Sequence, residues 1–134
     1  MFVNNYSQFV DSWIKSKDKS FYSIPYIHRP GTHSLQKEFN PDFFFKKGNK
    51  MIVVEIKSED DSTVNNKDKL EGAISYFKKL NEKLNGDYIY DFHFLDSRYY
   101  KQFFENKIKN DLAFKSLLHA DLETKSREEL KEGR

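Results

Sequence analysis

The run FNPDFFFKKGNKMIVVEIK, Phe39 to Lys57, constrains this chain more than any other stretch. It reads as two apolar strands around Gly48-Asn49, a dipeptide that favours the two-residue primed turn of a β-hairpin. With those two residues as the loop, the register follows. Lys47 faces Lys50, Phe45 faces Ile52, Phe44 faces Val53, Phe43 faces Val54, and Asp42 faces Glu55. Opposed side chains on one sheet face have Cβ atoms ~4.5–5.5 Å apart, so two carboxylates placed this way repel unless something positive lies between them. A divalent cation meets that need. Side chains alternate along a strand, so Lys57 emerges on the same face as Glu55 and brings an ammonium to the edge of the same site.

Hard oxygen ligands with no Cys or His nearby favour Mg²⁺ or Mn²⁺ over zinc. Mg²⁺ takes one or two carboxylates and keeps water and phosphate oxygens in its remaining positions. That arrangement suits phosphodiester cleavage. The metal polarises the phosphate and lowers the pKa of a bound water. Lys57 orients that water or helps deprotonate it, and offsets charge on the phosphorane-like transition state. No covalent enzyme intermediate is required.

Around the hairpin the pattern is mixed α/β. Tyr6, Phe9, Val10, Trp13 and Ile14 fall at i, i+3, i+4, i+7 and i+8, the spacing of a first amphipathic helix with Asn4, Asn5 and Ser7 as caps. FYSIPYIH (21–28) alternates like a strand, and Pro25, which has no N–H to share, places it towards an edge or the helix-facing start of the sheet. RPGTHS reads as a turn and SEDDSTVNN as a polar loop. Leu70, Ala73, Ile74, Phe77, Leu80 and Leu84 then make one helical stripe that Asn85-Gly86 ends. YIYDFHFL (88–95) is the next strand, and a strand–helix–strand order with so long a crossover implies parallel pairing. From Ser97 the chain keeps a helical pattern. In that stretch RYYKQFFENKIK suits either a nucleic-acid platform or, as favoured here, a helix in which Tyr99, Phe103 and Ile108 pack on the sheet.

At 134 residues the chain has the size of one domain, here 1–120, with 121–134 a charged tail or the end of the last helix. Zero cysteines exclude a disulfide framework and a thiolate zinc site. No apolar run nears the eighteen or so residues of a membrane span, so the expectation is a soluble cytoplasmic protein. A net charge of +2 is too small for bulk electrostatic binding of nucleic acid, so polyanions must be met by local clusters.

Pro41-Asp42, a hairpin-sized gap and Glu55-Ile56-Lys57 together resemble the PD-(D/E)XK nuclease superfamily. The wider order of FYSIPY, FNPDFFF, VVEIKSED, NKDKLEGAISYFKKLN and YDFHFLD is similar to the C-terminal endonuclease domain of type III restriction enzymes and related helicase-nucleases, over roughly Phe9 to Asp96. The resemblance implies a restriction-endonuclease-like core: a helix, three antiparallel strands, a crossover helix and one parallel strand, flanked by helices. It implies metal held by Asp42, Glu55 and the carbonyl of Ile56, and DNA as substrate. It also implies a supporting residue on the following helix, for which Lys69 is the best match and Lys67 the second. The partners implied are a helicase/translocase or methyltransferase subunit or domain in a restriction-modification setting, or a second copy forming a homodimer.

One position departs from that family. Relatives often carry a glutamate on the first helix three residues before a phenylalanine matching Phe9, where this chain has Tyr6. Asp11, off the apolar stripe, and Glu38, just before the strand, are the replacement acids. The alternative function is therefore a nuclease-fold module with weak or no catalysis that binds nucleic acid or a partner protein. Glu59, Asp60 and Asp61 read as a solvated loop. His28, His33, His93 and His119 lack metal-ligand spacing and read as structural or surface residues. Lys46, Lys47 and Lys50 at the hairpin tip fit either phosphate contact or an ordinary exposed turn.

Overall fold

The Gly48-Asn49 turn forms as its composition requires. Gly48 takes φ +60 while Asn49 is absent from the positive-φ residues, which is the primed turn with glycine in its first central position. A computed structural model describes residues 3–16, 22–28, 34–57, 64–117 and 119–124. In chain order the elements are α1 (Val3–Tyr6) running into a 3-10 turn at Ser7–Phe9, β1 (Ser12–Lys15), β2 (Ile24–His28), β3 (Leu35–Phe39), β4 (Phe43–Lys47) and β5 (Lys50–Ile56). Then follow α2 (Val64–Leu84), β6 (Ile89–Leu95), a 3-10 turn at Ser97–Tyr99, and α3 (Tyr100–Gln102), which widens into π-helical turns over Phe103–Lys109. His33, Glu59, Asp60, Asp61, most of RPGTHS and the tail beyond 124 lie outside the described residues.

The main sheet has the order β1-β4-β5-β6, with β1, β4 and β5 antiparallel and β6 parallel to β5 across the α2 crossover. The hairpin register is the one its turn dictates, from Lys47 opposite Lys50 to Phe43 opposite Val54. This hairpin is apolar at consecutive positions because the sheet is covered on both faces. Phe44 and Val53 pack towards α2 with Leu70, Ala73, Phe77, Phe92 and Phe94. Phe43, Phe45, Ile52 and Val54 pack on the other face with Leu95, Phe103, Phe104 and Ile108.

The expected first helix is a correction. Only Val3–Phe9 is helical, and Trp13 and Ile14 lie in β1. β4 has a second edge whose backbone groups need partners, and β1 supplies them. Asp11 N–H donates to the Lys46 carbonyl and Ser16 N–H to the Asp42 carbonyl, both at 2.8 Å. Tyr6, Phe9, Val10 and Trp13 still cover the α3-side core, from a different backbone. FYSIPYIH is likewise a strand outside the main sheet. Its strand portion, β2, pairs with β3, and Pro25 is tolerated because β2 has only that one neighbour among the described residues. β3 itself was not foreseen: four of its five residues are exposed, so LQKEF has no alternation to detect.

The stretch from Ser97 is not one helix. The π-helical turns let Phe103, Phe104 and Ile108 all reach full burial. Lys47 Nζ then donates to the Ile108 carbonyl at 2.6 Å, and Asp111 turns the chain at φ 57. Helix resumes over 119–124, where Leu122 is buried in the α2-side core, so the packed domain extends past residue 120. RYYKQFFENKIK thus packs on the sheet, and Lys47 at the hairpin tip is engaged by Ile108 and by Asp111 at 3.0 Å. No helix among the described residues is long and apolar enough to cross a membrane.

α2 lies against β2 at Gly72, where an added Cβ would stand 2.5 Å from Tyr26 Cβ and 2.8 Å from the Pro25 carbonyl oxygen. Helix propensity alone favours alanine at that position by about 1 kcal/mol. The close approach reverses the sign. Gly72→Ala is expected to destabilise the domain by about 1–3 kcal/mol in urea unfolding; a stabilised variant would show that the crossing has slack.

Candidate functional site

Alternation along the hairpin decides where the carboxylates go. Phe44 and Val53 face α2, so Asp42 and Glu55, two residues from each, emerge on that same face at the open end of the hairpin. Asp42 is fixed twice through its backbone, its N–H donating to the Val54 carbonyl at 2.9 Å and its carbonyl accepting from Ser16 N–H. The Ser16 hydroxyl donates to the preceding carbonyl, that of Pro41. The side chain then reaches across, where Asp42 Oδ2 accepts the Ile56 N–H at 2.7 Å. In an extended strand the N–H and C=O of one residue point the same way, so the Ile56 carbonyl also turns towards the Asp42 side. Lys57 N–H bonds the Leu95 carbonyl at 2.9 Å and anchors the end of β5 to β6.

Two lysines close the group. Lys57 Nζ lies 3.6 Å and Lys69 Nζ 3.7 Å from Glu55 Oε2. Lys69 stands near the start of α2, its ammonium 5.5 Å from the centre of the Phe39 ring. Asp42, Glu55, Lys57 and Lys69, all singled out from sequence, therefore meet at one end of β5. Lys67, the second choice on the helix, is buried.

Glu55 is 5% exposed. Burial first, then the hydrogen bond and negative charge of Asp42, push its pKa up to about 8, against the opposing pull of Lys57 and Lys69. At neutral pH Glu55 thus holds its proton, hydrogen-bonded to Asp42. A hard divalent ion fits the donor set of two carboxylates and the Ile56 carbonyl and would take the proton's place. Among the described residues no group of three or more His, Cys, Asp or Glu is placed to hold a metal, so water and substrate oxygens would complete the shell.

The candidate replacement acids do not join this site. Asp11 Oδ2 accepts the Gly48 N–H at 2.8 Å, at the turn end of the hairpin. Glu38 lies exposed on β3. Tyr6, at the position of the family's helix acid, donates to Glu105 Oε1 at 2.6 Å and stacks on Phe104, on the opposite face of the sheet. Tyr100, packed against the α3-side core and not found from sequence, feels the charge of the site: burial, then the charges of Asp96 and Asp42, raise its pKa. Its only sequence cue is a place among aromatic and basic residues that looks like core. Beside it Asp96, buried at the end of β6, binds Arg98 through Nε at 3.0 Å and Nη2 at 2.9 Å, so the half-exposed guanidinium stands next to the strand end that Lys57 bonds.

The raised Glu55 pKa carries a stability consequence with a definite sign. The unfolded chain releases this proton near pH 4.5 and the metal-free native state only near 8, so Glu55 costs stability progressively as pH rises through that window. Glu55→Gln removes the cost. With chelator present, the variant is expected to gain about 2 kcal/mol or more over wild type at pH 8 and little at pH 4.5. A difference that stays flat with pH in paired denaturation curves would contradict this electrostatic account.

No protein-family model matches the chain, and no curated protein or solved structure is significantly similar to it, so the functional reading rests on the site's own geometry.

Proposed function

We propose that this chain is a DNA endonuclease domain of PD-(D/E)XK type, a Mg²⁺- or Mn²⁺-dependent phosphodiester hydrolase with a restriction-endonuclease-like core. The observation that carries the reading is the convergence of Asp42, Glu55, Lys57 and Lys69 on one end of β5, with the Glu55 carboxyl between another acid and two ammonium groups. The domain would act as the cleavage module of a type III restriction or helicase-associated system, beside a helicase/translocase or methyltransferase subunit. A second copy would serve to cut the opposite strand.

Asp42, Glu55 and the Ile56 carbonyl would hold the ion. When bound, it would supply Lewis-acid polarisation of the scissile phosphate and a water of lowered pKa. Asp42 needs no reorganisation, because the Ile56 N–H and the backbone bonds on either side of its peptide already aim it. Glu55 would have to give up its proton to serve as a ligand. Lys57, held beside Glu55, would as an ammonium orient the attacking water and offset the negative charge that grows on the phosphate oxygens, or as the neutral amine would accept that water's proton. Lys69 steadies Glu55 and adds a second positive charge from the helix side.

The second reading is a nuclease-fold module that binds nucleic acid or a partner protein with weak or no catalysis. It is favoured by one feature, Tyr6 in place of the helix acid, committed to Glu105 on the other face. Plasmid DNA incubated with the chain and millimolar Mg²⁺ or Mn²⁺ separates the two. The enzyme reading expects cleavage that chelator stops, that falls by about 10²-fold or more in Asp42→Ala and in Lys57→Ala, and that falls less in Lys69→Ala, with DNA binding retained by all three. Binding without cutting in wild type under either metal would overturn it in favour of the docking module.

A further inference from the structure

β6 is an edge strand, and its free edge is provided for at every second residue but one. Its odd-numbered residues face β5: Ile89 N–H donates to the Asn49 carbonyl at 2.8 Å, and the Leu95 carbonyl accepts from Lys57 N–H. The even-numbered residues therefore turn N–H and C=O outward, where no strand follows. Side chains meet two of them. At Tyr90 the carboxamide of Asn81 takes both groups, Oδ1 accepting from the N–H at 2.8 Å and Nδ2 donating to the carbonyl at 3.0 Å. At Phe94 the N–H donates to His119 Nδ1 at 3.3 Å and the carbonyl accepts from the Ser116 hydroxyl at 2.6 Å. Phe92 stands between them. No described residue bonds its outward N–H and C=O.

That gap opens into a cleft of about 690 Å³ between α2 and the segment 114–123. Phe77, Tyr90, Phe92 and Phe114 give it aromatic walls. His93 also lines it, 4% exposed, and neither of its ring nitrogens has a hydrogen-bond partner among the described residues. Its Nε2 lies 3.2 Å from Asp91 Oδ2 without the alignment of a hydrogen bond. A buried imidazole left in this state is costly unless something in the cleft bonds it. The space is of the size that holds a small organic ligand, for which ~300–1,000 Å³ is usual.

Asn81 shows what fits such an edge: a planar group with a donor beside an acceptor satisfies the N–H and C=O of one residue at once. We propose that the cleft binds a small planar ligand with a cis-amide edge, as a nucleobase or a primary carboxamide has, held by the Phe92 N–H and C=O between the aromatic walls. His93 supplies a further polar contact. The site lies across β6 from Glu55, which pairs with Phe94 on the inner side of that strand, and it does not depend on the nuclease reading.

Titration of the ¹⁵N-labelled chain with uridine and with benzamide tests this, using N3-methyluridine and N,N-dimethylbenzamide as ring-matched compounds without the donor. The Phe92 amide resonance is expected to shift saturably and its hydrogen exchange to slow, while the methylated compounds bind about tenfold or more weakly. A response to uridine alone assigns a base, to benzamide alone a carboxamide, and to both the shared edge. Ile74, 46% exposed at the cleft, permits a folded control, since Ile74→Trp should fill the space and abolish the shift with the remaining spectrum in place. No saturable change at Phe92 with any compound, or equal binding of the methylated ones, would overturn the proposal.

Discussion

The fold hangs on a hairpin that is buried on both faces and carries acids at its open end. Phe44 and Val53 belong to one core, Phe43, Phe45, Ile52 and Val54 to the other, so neither strand can slip by one residue without exchanging its two sets of side chains. The turn at Gly48-Asn49 and the packing on both faces select the same register. Asp42 and Glu55 inherit their position from that agreement. The Asp42 carboxylate adds to the pairing by accepting the Ile56 N–H, while the large aromatic and aliphatic side chains on the two faces hold the register.

The site's electrostatics follow from the same packing. A carboxyl beside two ammonium groups would ordinarily titrate low, yet Glu55 titrates high, because burial against the sheet and the nearness of Asp42 outweigh Lys57 and Lys69. A site arranged only for ion pairing would not bring a second acid to the first. Here two lysines flank two carboxyl groups, so the formal charges balance, and it is burial together with Asp42 that holds the Glu55 proton.

The hairpin, the crossover helix and Asp42, Glu55 and Lys57 were legible in the sequence because each rests on short-range chemistry, whereas Lys69 was reached only through a family resemblance. The turn fixes a local register, the stripe of α2 has a clear helical period, and Asn85 and Gly86 end it with φ 49 and 90. What was illegible depends on distant partners. Trp13 and Ile14 have helical spacing but serve as a strand because β4, more than thirty residues later, needs an edge partner. β3 exposes four of five side chains and exists only against β2. Tyr100 feels the charge of Asp42 only because the sheet brings the chain after β6 to the same end as the start of β4, which no local pattern announces.

α2 is the element through which these features are linked. It presents Lys69 to Glu55, closes on β2 at Gly72, and caps the outer edge of β6 with Asn81. Lys69 and Asn81 are twelve residues apart, about 18 Å along a helix, so one rigid rod spans the candidate active site and the far cleft. A slide or rotation of that rod large enough to free Asn81 from Tyr90 would also withdraw an ammonium from Glu55 and drive Gly72 into or away from Tyr26. The glycine contact resists this motion more firmly than a hydrogen bond could, because backbone meets side chain at van der Waals distance with no rotamer to yield. Gly72, which touches neither site, therefore sets the precision with which both are held.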